Sequence, residues 1–227
     1  LLERQGINIQ GSDTSNNLQL DVKELFNVES GSVVEVYIPE ILKAITNKVP
    51  LRVYYKPFKF DTDVSLKIHP YKLVEYNKRW FLIAHLEQVL SDSNDNPYLI
   101  RLDLINNFAV DRISSIERQY PSDDYIHPRV NINKVLQNTI GISVDFDNYV
   151  IENVKIELSE NLVPYFISKP LHYKQKNQGN MFEYNIIITR ELEQILLSYG
   201  ENIKVISPES LRIRLTERIK KMNEIYY

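Results

Sequence analysis

The sequence predicts an α+β fold in which a small closed β-barrel is followed by an α/β sandwich. Two observations carry this prediction. In residues 51–117, apolar residues recur at the period of two that is typical of strands, and polar reversals separate the runs. In residues 149–227, strand-like segments alternate with segments of helical spacing. We therefore expect two domains of different architecture.

Length and composition limit the classes of protein to consider. The 227 residues suffice for one large or two ordinary domains with their own cores. The chain has no cysteine, which excludes disulfides, a thiolate nucleophile and a cysteine-based zinc site. No apolar run approaches the roughly 20 residues that span a bilayer, and no signal peptide layout opens the chain. We expect a cytoplasmic protein without membrane contact.

Charge is distributed unevenly along the chain. The net charge of -3 argues against a protein that coats nucleic acid through charge alone. Residues 51–80, however, contain seven Lys and Arg against three Asp and Glu. Such a restricted basic segment is typical of a protein that binds an anionic ligand at one place. The alternative is that these charges are the solvated faces of strands.

A helix and a strand are the first elements expected in the barrel. Apolar residues at helical spacing predict an amphipathic helix from Pro39 to Lys48, with the proline near its start, where it is tolerated. Alternation then predicts a strand from Leu51 to about Phe60.

The central feature of the barrel is a predicted hairpin over residues 69–87. A polar reversal at residues 76–79 joins its two strands. Both faces of the second strand carry apolar residues, which suits a small barrel whose outer face is partly covered. The two faces are Trp80, Leu82, Ala84 and Leu86, and Arg79, Phe81, Ile83 and His85.

Two further strands are expected after this hairpin. A polar loop at residues 91–96 precedes strands at residues 98–104 and 108–117. Residues 121–148 are polar and contain prolines and a glycine, which predicts a connector around a short helix near residues 133–137.

Two motifs in this region resemble a known family. Residues 69–73 (HPYKL) and 79–84 (RWFLIA) are similar to the signature of the WYL-domain family of bacterial transcriptional regulators, with Phe81 in place of the usual tyrosine. Residues 109–113 (AVDRI) resemble the Asp-Arg-Ile ending of the same domain. The resemblance implies an Sm-like β-barrel over residues 38–120, including its leading helix.

One position departs from the family pattern. The family commonly has an arginine a few residues before the Asp-Arg-Ile ending, where this chain has Asn106 and Asn107. Arg101 is the nearest arginine that could replace it, and its role is left open.

The resemblance also bears on the start of the chain. Strand-like runs around a polar turn at residues 7–20 are similar to the wing of the family's N-terminal winged helix-turn-helix. Residues 1–37 are therefore expected to be a remnant of the wing and a linker. Because the chain begins with Leu1, we expect a fragment that lacks the DNA-reading helices.

Residues 149–227 have the predicted order β-α-β-β-α-β followed by a terminal helix, which suggests a ferredoxin-like sandwich. Short stretches at residues 170–172 and 207–209 resemble the C-terminal extension that follows many WYL domains. The expected elements are residues 154–158, 161–168, 171–176, 181–188, a helix between Thr189 and Gly200, residues 203–206, and a last helix opened by residues 207–209.

Catalytic and metal-binding patterns are not found in the sequence. It has no Gly-x-Ser-x-Gly elbow, no phosphate-binding glycine loop and no His-Glu-x-x-His motif. The four histidines, at positions 69, 85, 127 and 172, share no metal-ligand spacing. We expect neither an enzyme nor a cofactor or metal.

The sequence supports a ligand-binding site better than a catalytic or metal site. Guanidinium groups recognise phosphate and flat rings stack on bases, a combination that small barrels use to hold single strands. The candidate residues on or beside the predicted barrel strands are Tyr55, His69, Arg79, Arg101 and Arg112, with Trp80 and Phe81 as possible stacking residues.

Each candidate also has a structural interpretation. The arginines could form surface ion pairs, which stabilise a protein by at most about 1 kcal/mol. Tyr55 could be a core tyrosine and His69 a residue at a strand edge. For Trp80, core packing is favoured over stacking.

The resemblance implies the effector-sensing region of a transcriptional regulator. Its barrel would bind a nucleic-acid-derived effector, either single-stranded DNA or a nucleotide, and change the arrangement of a homodimer. The missing N-terminal domain would contact operator DNA. Two alternatives stay open: an assembly module without a sensing role, and an enzyme that acts on nucleic acid.

Overall fold

A computed structural model of the protein places the chain in two compact units, Leu1–Ile132 and Asn133–Tyr227. The predicted wing hairpin, the loop at residues 91–96 and Arg101 lie outside the described residues, as does most of the strand predicted at residues 98–104. The parts that the structure describes are residues 33–58, 62–89 and 103–226, without the side chains of residues 33–35 and 118.

One antiparallel sheet and one long helix form the described part of the first unit. The strand order is β4-β3-β2-β1-β5, and no pairing of β4 with β5 closes it among the described strands, so the predicted closed barrel is not confirmed. The elements are α1 (Val33–Asn47), β1 (Leu51–Tyr55), β2 (Val64–Tyr76), β3 (Arg79–Val89), β4 (Ile105–Ala109) and β5 (Ile113–Gln119).

The hairpin of β2 and β3 follows the prediction. Its turn consists of Asn77 and Lys78, whose φ angles of 50° and 61° both lie in the left-handed region. A two-residue turn of this kind matches the twist of the strands that it joins. Buried residues lie on both faces of β3, as the sequence indicated: Trp80 and Leu82 on one, Ile83 on the other.

Helix α1 is longer than predicted. It includes residues before Pro39, so the proline lies inside the helix and not near its start. An interior proline removes one helical hydrogen bond. The helix persists because its apolar face is fully packed against the sheet, where Ile38, Ile41 and Ala44 are at most 1% exposed.

Two strand boundaries near Arg112 differ from the prediction. Strand β1 ends at Tyr55, because the next carbonyls, of Lys56 and Pro57, accept hydrogen bonds from the Arg112 side chain. The strand predicted at residues 108–117 is interrupted by a 3₁₀ turn at Val110–Arg112, which separates β4 from β5. Within the turn Asp111 is exposed and Arg112 half-buried, whereas Val110 is completely buried.

The second unit contains the predicted order β-α-β-β-α-β with a terminal helix. Its sheet is antiparallel throughout, with the order β7-β8-β6-β9. Helix α2 (Ile132–Leu136) precedes it, near the position predicted for a short helix. The other elements are β6 (Ile151–Leu158), α3 (Val163–Ser168), β7 (Lys176–Gln178), β8 (Met181–Ile187), α4 (Arg190–Ser198), β9 (Ile203–Ser207) and α5 (Glu209–Tyr226).

Local signals were accurate in most of this unit. Thr189 caps α4, since its Oγ1 accepts a hydrogen bond from the Leu192 N–H at 3.2 Å, and Gly200 follows the helix with a φ of 56°. The strand predicted at residues 171–176 is wrong: the N–H of Gln175 bonds to the His172 carbonyl and forms a turn, so β7 begins only afterwards.

No helix in the described parts of the chain is both long and apolar enough to cross a bilayer.

Candidate ligand-binding site

Two of the predicted arginines meet at one end of the first sheet. Arg79 opens β3, and Arg112 ends the 3₁₀ turn after β4. Pairing of Phe81 with Ala109 brings the start of β3 beside the end of β4. The Cζ atoms of Arg79 and Arg112 lie 4.9 and 4.4 Å from the centre of the same ring, that of Phe58.

Arg79 is held by a carboxylate. Its Nε donates to Oδ1 of Asp111 and its Nη2 donates to Oδ2, both at 2.9 Å. This is the bidentate geometry in which guanidinium groups bind carboxylates and phosphates. The pair is partly solvated, with side chains 33% and 43% exposed.

Arg112 is held by backbone carbonyls. Its Nε donates to the Lys56 carbonyl at 2.7 Å and its Nη2 donates to the Pro57 carbonyl at 3.1 Å. Carbonyls carry no net charge, so the positive charge of Arg112 is not neutralised by these contacts. No described residue accepts a hydrogen bond from the Nη1 group of Arg79 or Arg112.

Tyr55 lies beneath this pair of arginines. It is 7% exposed and contacts Phe108 edge to face, with 5.3 Å between ring centres. Burial raises the pKa of its hydroxyl above the usual 10.0, against the opposing effects of a backbone hydrogen bond at Ala109 and of the nearby Arg79 and Arg112 charges. The hydroxyl is therefore neutral and within electrostatic reach of both guanidinium groups.

The two residues proposed for stacking have different surroundings. Trp80 is 6% exposed and belongs to the hydrophobic core of the first unit, the packing that the sequence favoured. Phe81 is half-buried, and the Cζ of Arg79 lies 5.8 Å from its ring centre. Phe81 thus borders the arginine pair, whereas Trp80 supports the strand from the core.

His69, another predicted site residue, lies away from the two arginines. It pairs with His85, six residues along β3 from Arg79, which corresponds to about 20 Å at the rise of a strand. It is fully buried, and its Nδ1 accepts a hydrogen bond from the Ile126 N–H at 3.0 Å. Its Nε2 therefore carries the proton, which it donates to Glu87 at 2.6 Å. Arg101, outside the described residues, stays a prediction.

Two residues at the site were not singled out from the sequence. Asp111 was noted only as part of a motif, and its partner Arg79 is 32 positions away. Phe58 is an exposed aromatic residue, with 67% of its surface accessible. A weak signal existed for Phe58, since it stands in the basic run Lys56-Pro57-Phe58-Lys59. We call Phe58, Arg79, Asp111 and Arg112 the arginine cluster.

The chemistry available in the arginine cluster is that of anion binding. Two fixed guanidinium groups can donate hydrogen bonds to phosphate oxygens, and the adjacent ring offers a flat apolar surface. Among the described residues, no group of three or more His, Cys, Asp or Glu side chains could hold a metal ion.

Family comparisons agree with the motifs. Residues 36–118 match the family model of the WYL domain, and residues 151–222 match that of the WCX domain. The WYL match includes the three motifs at residues 69–73, 79–84 and 109–113, so it agrees with the resemblance to the WYL signature; each of the two matches covers less than half of the chain. No curated protein matches the chain.

Two solved structures are similar to this chain at low sequence identity, and the first of them shares its fold. A CRISPR Cas-related protein known from a crystal structure aligns with 90% of this chain at 12% identity, with a TM-score of 0.51. Proteasome accessory factor B/C (PafBC) of Arthrobacter aurescens aligns with 85% of it at 16% identity, with a TM-score of 0.31. The chain spans 53% and 28% of these two proteins, respectively.

Proposed function

We propose that this chain is the effector-sensing region of a DNA-binding transcriptional regulator. The effector is a nucleic-acid-derived anion, either single-stranded DNA or a nucleotide, and it binds at the arginine cluster. The observation that carries the proposal is the convergence of Arg79 and Arg112, each held in a fixed orientation. Guanidinium groups that are already held in place lose little conformational entropy when their Nη1 groups donate to phosphate, so they suit this ligand.

For the effector to regulate DNA binding, it must bind two states of the protein with different affinities. An effector shifts an equilibrium only if it binds one state more tightly than the other. We propose that the two states are two arrangements of a homodimer, which position DNA-binding domains differently on operator DNA. In this scheme the WYL domain is an Sm-like barrel that senses the effector, and the WCX domain is a ferredoxin-like sandwich that pairs the protomers.

The direct test is binding of a short, fluorescein-labelled single-stranded DNA, followed by anisotropy. We expect binding that weakens as salt is added, because phosphate contacts release counterions. Arg79→Ala combined with Arg112→Ala should weaken it by at least tenfold, since two charge-assisted contacts of about 1.5–3 kcal/mol each are lost.

Arg190→Ala is the matched control, because Arg190 is an exposed arginine of the second unit. It should leave the affinity unchanged. Equal affinities of the wild type and the double variant would remove the arginine cluster from the binding site. Extending the double variant with Arg101→Ala tests the remaining predicted arginine.

A second candidate function is protomer assembly without sensing. The last turns of α5 favour it, because apolar residues spaced three or four apart are exposed there: Ile219 by 54%, Met222 by 49% and Tyr226 by 80%. A concentration-independent dimer by light scattering, with no thermal shift from any nucleotide or oligonucleotide, would favour assembly over sensing.

A further inference from the structure

Phe58 is an exposed aromatic side chain that lies beside both arginines of the cluster. It is 67% exposed, while the other aromatic residues that border the cluster, Tyr55 and Phe81, are buried and half-buried. The guanidinium groups of Arg79 and Arg112 both lie within 5 Å of its ring centre. The exposed ring and the two guanidinium groups therefore form a surface that offers an aromatic contact and positive charge side by side.

Its backbone is fixed by the arginine that would contact the ligand. Arg112 binds the carbonyls of Lys56 and Pro57 through its side chain, and the Arg112 carbonyl accepts the Lys56 N–H at 2.9 Å. Three hydrogen bonds thus tie the two residues before Phe58 to the residue that ends the 3₁₀ turn. The ring and the guanidinium groups are therefore positioned as one unit, in advance of any ligand.

This arrangement suits one chemical class of ligand more than others. A base can stack on the exposed ring, while the phosphate attached to the same nucleotide reaches the arginines. Inorganic phosphate or a polyphosphate would use the arginines alone. Base-paired duplex hides the faces of its bases within the stack, so it would also leave the ring unused.

We propose that Phe58 is a stacking platform that makes the site specific for an unpaired base next to a phosphate. The inference rests on the proposed function and deepens it by naming the residue that contacts the base. Arg79 and Arg112 supply the affinity for phosphate. Phe58 supplies the preference for ligands that carry an accessible base.

Two oligonucleotides of about ten nucleotides separate these contributions, since one OB-fold site covers roughly 4–16 nucleotides. One contains thymidines and the other is abasic at every position, so both carry the same number of phosphates. Dissociation constants are measured by anisotropy for the wild type, Phe58→Ala and Phe58→Tyr. Tyr165→Ala serves as the control, because Tyr165 is an equally exposed aromatic residue of the second unit, 69% accessible.

We expect the wild type to bind the thymidine strand about tenfold more tightly than the abasic strand, since stacking on one ring contributes about 1–3 kcal/mol. Phe58→Ala should lose this advantage and leave the affinity for the abasic strand within twofold of the wild type. Phe58→Tyr keeps an aromatic face and should retain the preference. Tyr165→Ala should behave as the wild type.

Other outcomes overturn the inference. An equal loss on both strands in Phe58→Ala would mean that the ring only supports the arginines. No loss on either strand would mean that Phe58 does not contact the ligand. If the wild type binds both strands equally, the stacking role fails while the anion site stands, and if it binds neither strand, the proposed function fails as well.

Discussion

Asp111 determines how much of Arg79 is available to a ligand. The two hydrogen bonds that the Asp111 carboxylate accepts use Nε and Nη2, one edge of the guanidinium plane. A phosphate that binds in the same bidentate manner needs that edge too, so Asp111 and the phosphate compete for it. At 33% and 43% exposure, the Arg79–Asp111 pair itself stabilises the fold by only about 0–1 kcal/mol.

Asp111→Asn is therefore expected to raise the affinity for single-stranded DNA severalfold, because it removes a negative charge and frees one edge of Arg79. The free energy of unfolding should fall by less than about 1 kcal/mol. Anisotropy and urea titration measure the two effects. Asp124→Asn is the control, because Asp124 is an exposed aspartate of the same unit, 3.9 Å from Lys67. Weaker binding by Asp111→Asn would show that the carboxylate positions Arg79 without competing.

His69 couples the stability of the first unit to pH. It is fully buried, and burial lowers its pKa below the usual 6.5, although its partner Glu87 opposes this effect. The groups that face it are Glu87, Lys67, His85 and the ring of Tyr125. Protonation would place a hydrogen on Nδ1, which accepts the Ile126 N–H in the neutral form. The folded state therefore favours neutral His69.

The sign of the pH effect follows from this lowered pKa. Between about pH 6.5 and the lower pKa of the folded state, the unfolded chain binds a proton at His69 that the folded chain does not. The free energy of unfolding should therefore decrease as the pH falls through this range. His69→Gln should flatten that decrease in urea titrations between pH 7 and pH 5. His127→Gln, at an exposed position, is the control and should leave the decrease unchanged. An unchanged decrease in His69→Gln would contradict the role of His69 in this pH dependence.

At the level of secondary structure, short irregular segments place the side chains of the candidate site. The 3₁₀ turn at Val110–Arg112 separates two strands and presents Asp111 and Arg112 at the end of the sheet. A comparable irregular segment in the second unit precedes β6. There the buried Glu191 accepts hydrogen bonds from the N–H groups of Ile142 and Ser143 at 3.3 and 3.0 Å. Helix α4, which carries Glu191, thereby fixes the path of the chain into the sheet.

Gly141 makes this close approach possible. Its φ of +91° suits glycine, and a Cβ at this position would lie 2.5 Å from the Cβ of Glu191. Gly141→Ala should therefore destabilise the protein by about 3 kcal/mol, from overpacking and backbone strain together. Gly179→Ala is the matched control, since its φ is +57° with no atom within 4 Å, and it should cost only about 1 kcal/mol. Equal losses in urea titrations would show that contact with Glu191 is unimportant.

On the scale of the whole molecule, the distribution of charge matters more than its sum. The chain carries a net charge of -3, while residues 51–80 contain seven basic and three acidic side chains. Long-range attraction of DNA to the chain as a whole is therefore weak, and the proposed binding depends on close contacts at the basic segment. The affinity of such contacts falls with salt, and the slope of this fall increases with the number of phosphates contacted.

The slope of log K against log salt should be small and should depend on the arginine cluster. Each phosphate contact on a single strand contributes about 0.7 to the slope. Arg79→Gln combined with Arg112→Gln should therefore reduce it by about 1.4, as measured by anisotropy over a salt series. Arg190→Gln should leave the slope unchanged. A slope that the double variant does not alter would place the phosphate contacts elsewhere.

Much of the local structure could be predicted because it depends on neighbouring residues. Alternating apolar residues identified β3, and the polar reversal before it became the two-residue turn of Asn77 and Lys78. Thr189 and Gly200 marked the limits of α4. In each case the signal reflects backbone geometry over one or two turns of chain, which the sequence contains directly.

The site itself depended on the tertiary structure. The sequence by itself determined two domains, most strands and helices, the WYL signature, and Arg79 and Arg112 as candidates. Only the fold decided that Asp111 occupies one edge of Arg79, although the two are 32 positions apart. Likewise, only the fold decided that Arg112 binds the carbonyl of Lys56, which lies 56 positions before it and close to Phe58. These contacts follow from strand register, set by the pairing of β3 with β4 and by the irregularity between Tyr54 and Tyr55 where β1 pairs with β5, and local patterns do not encode register across a sheet.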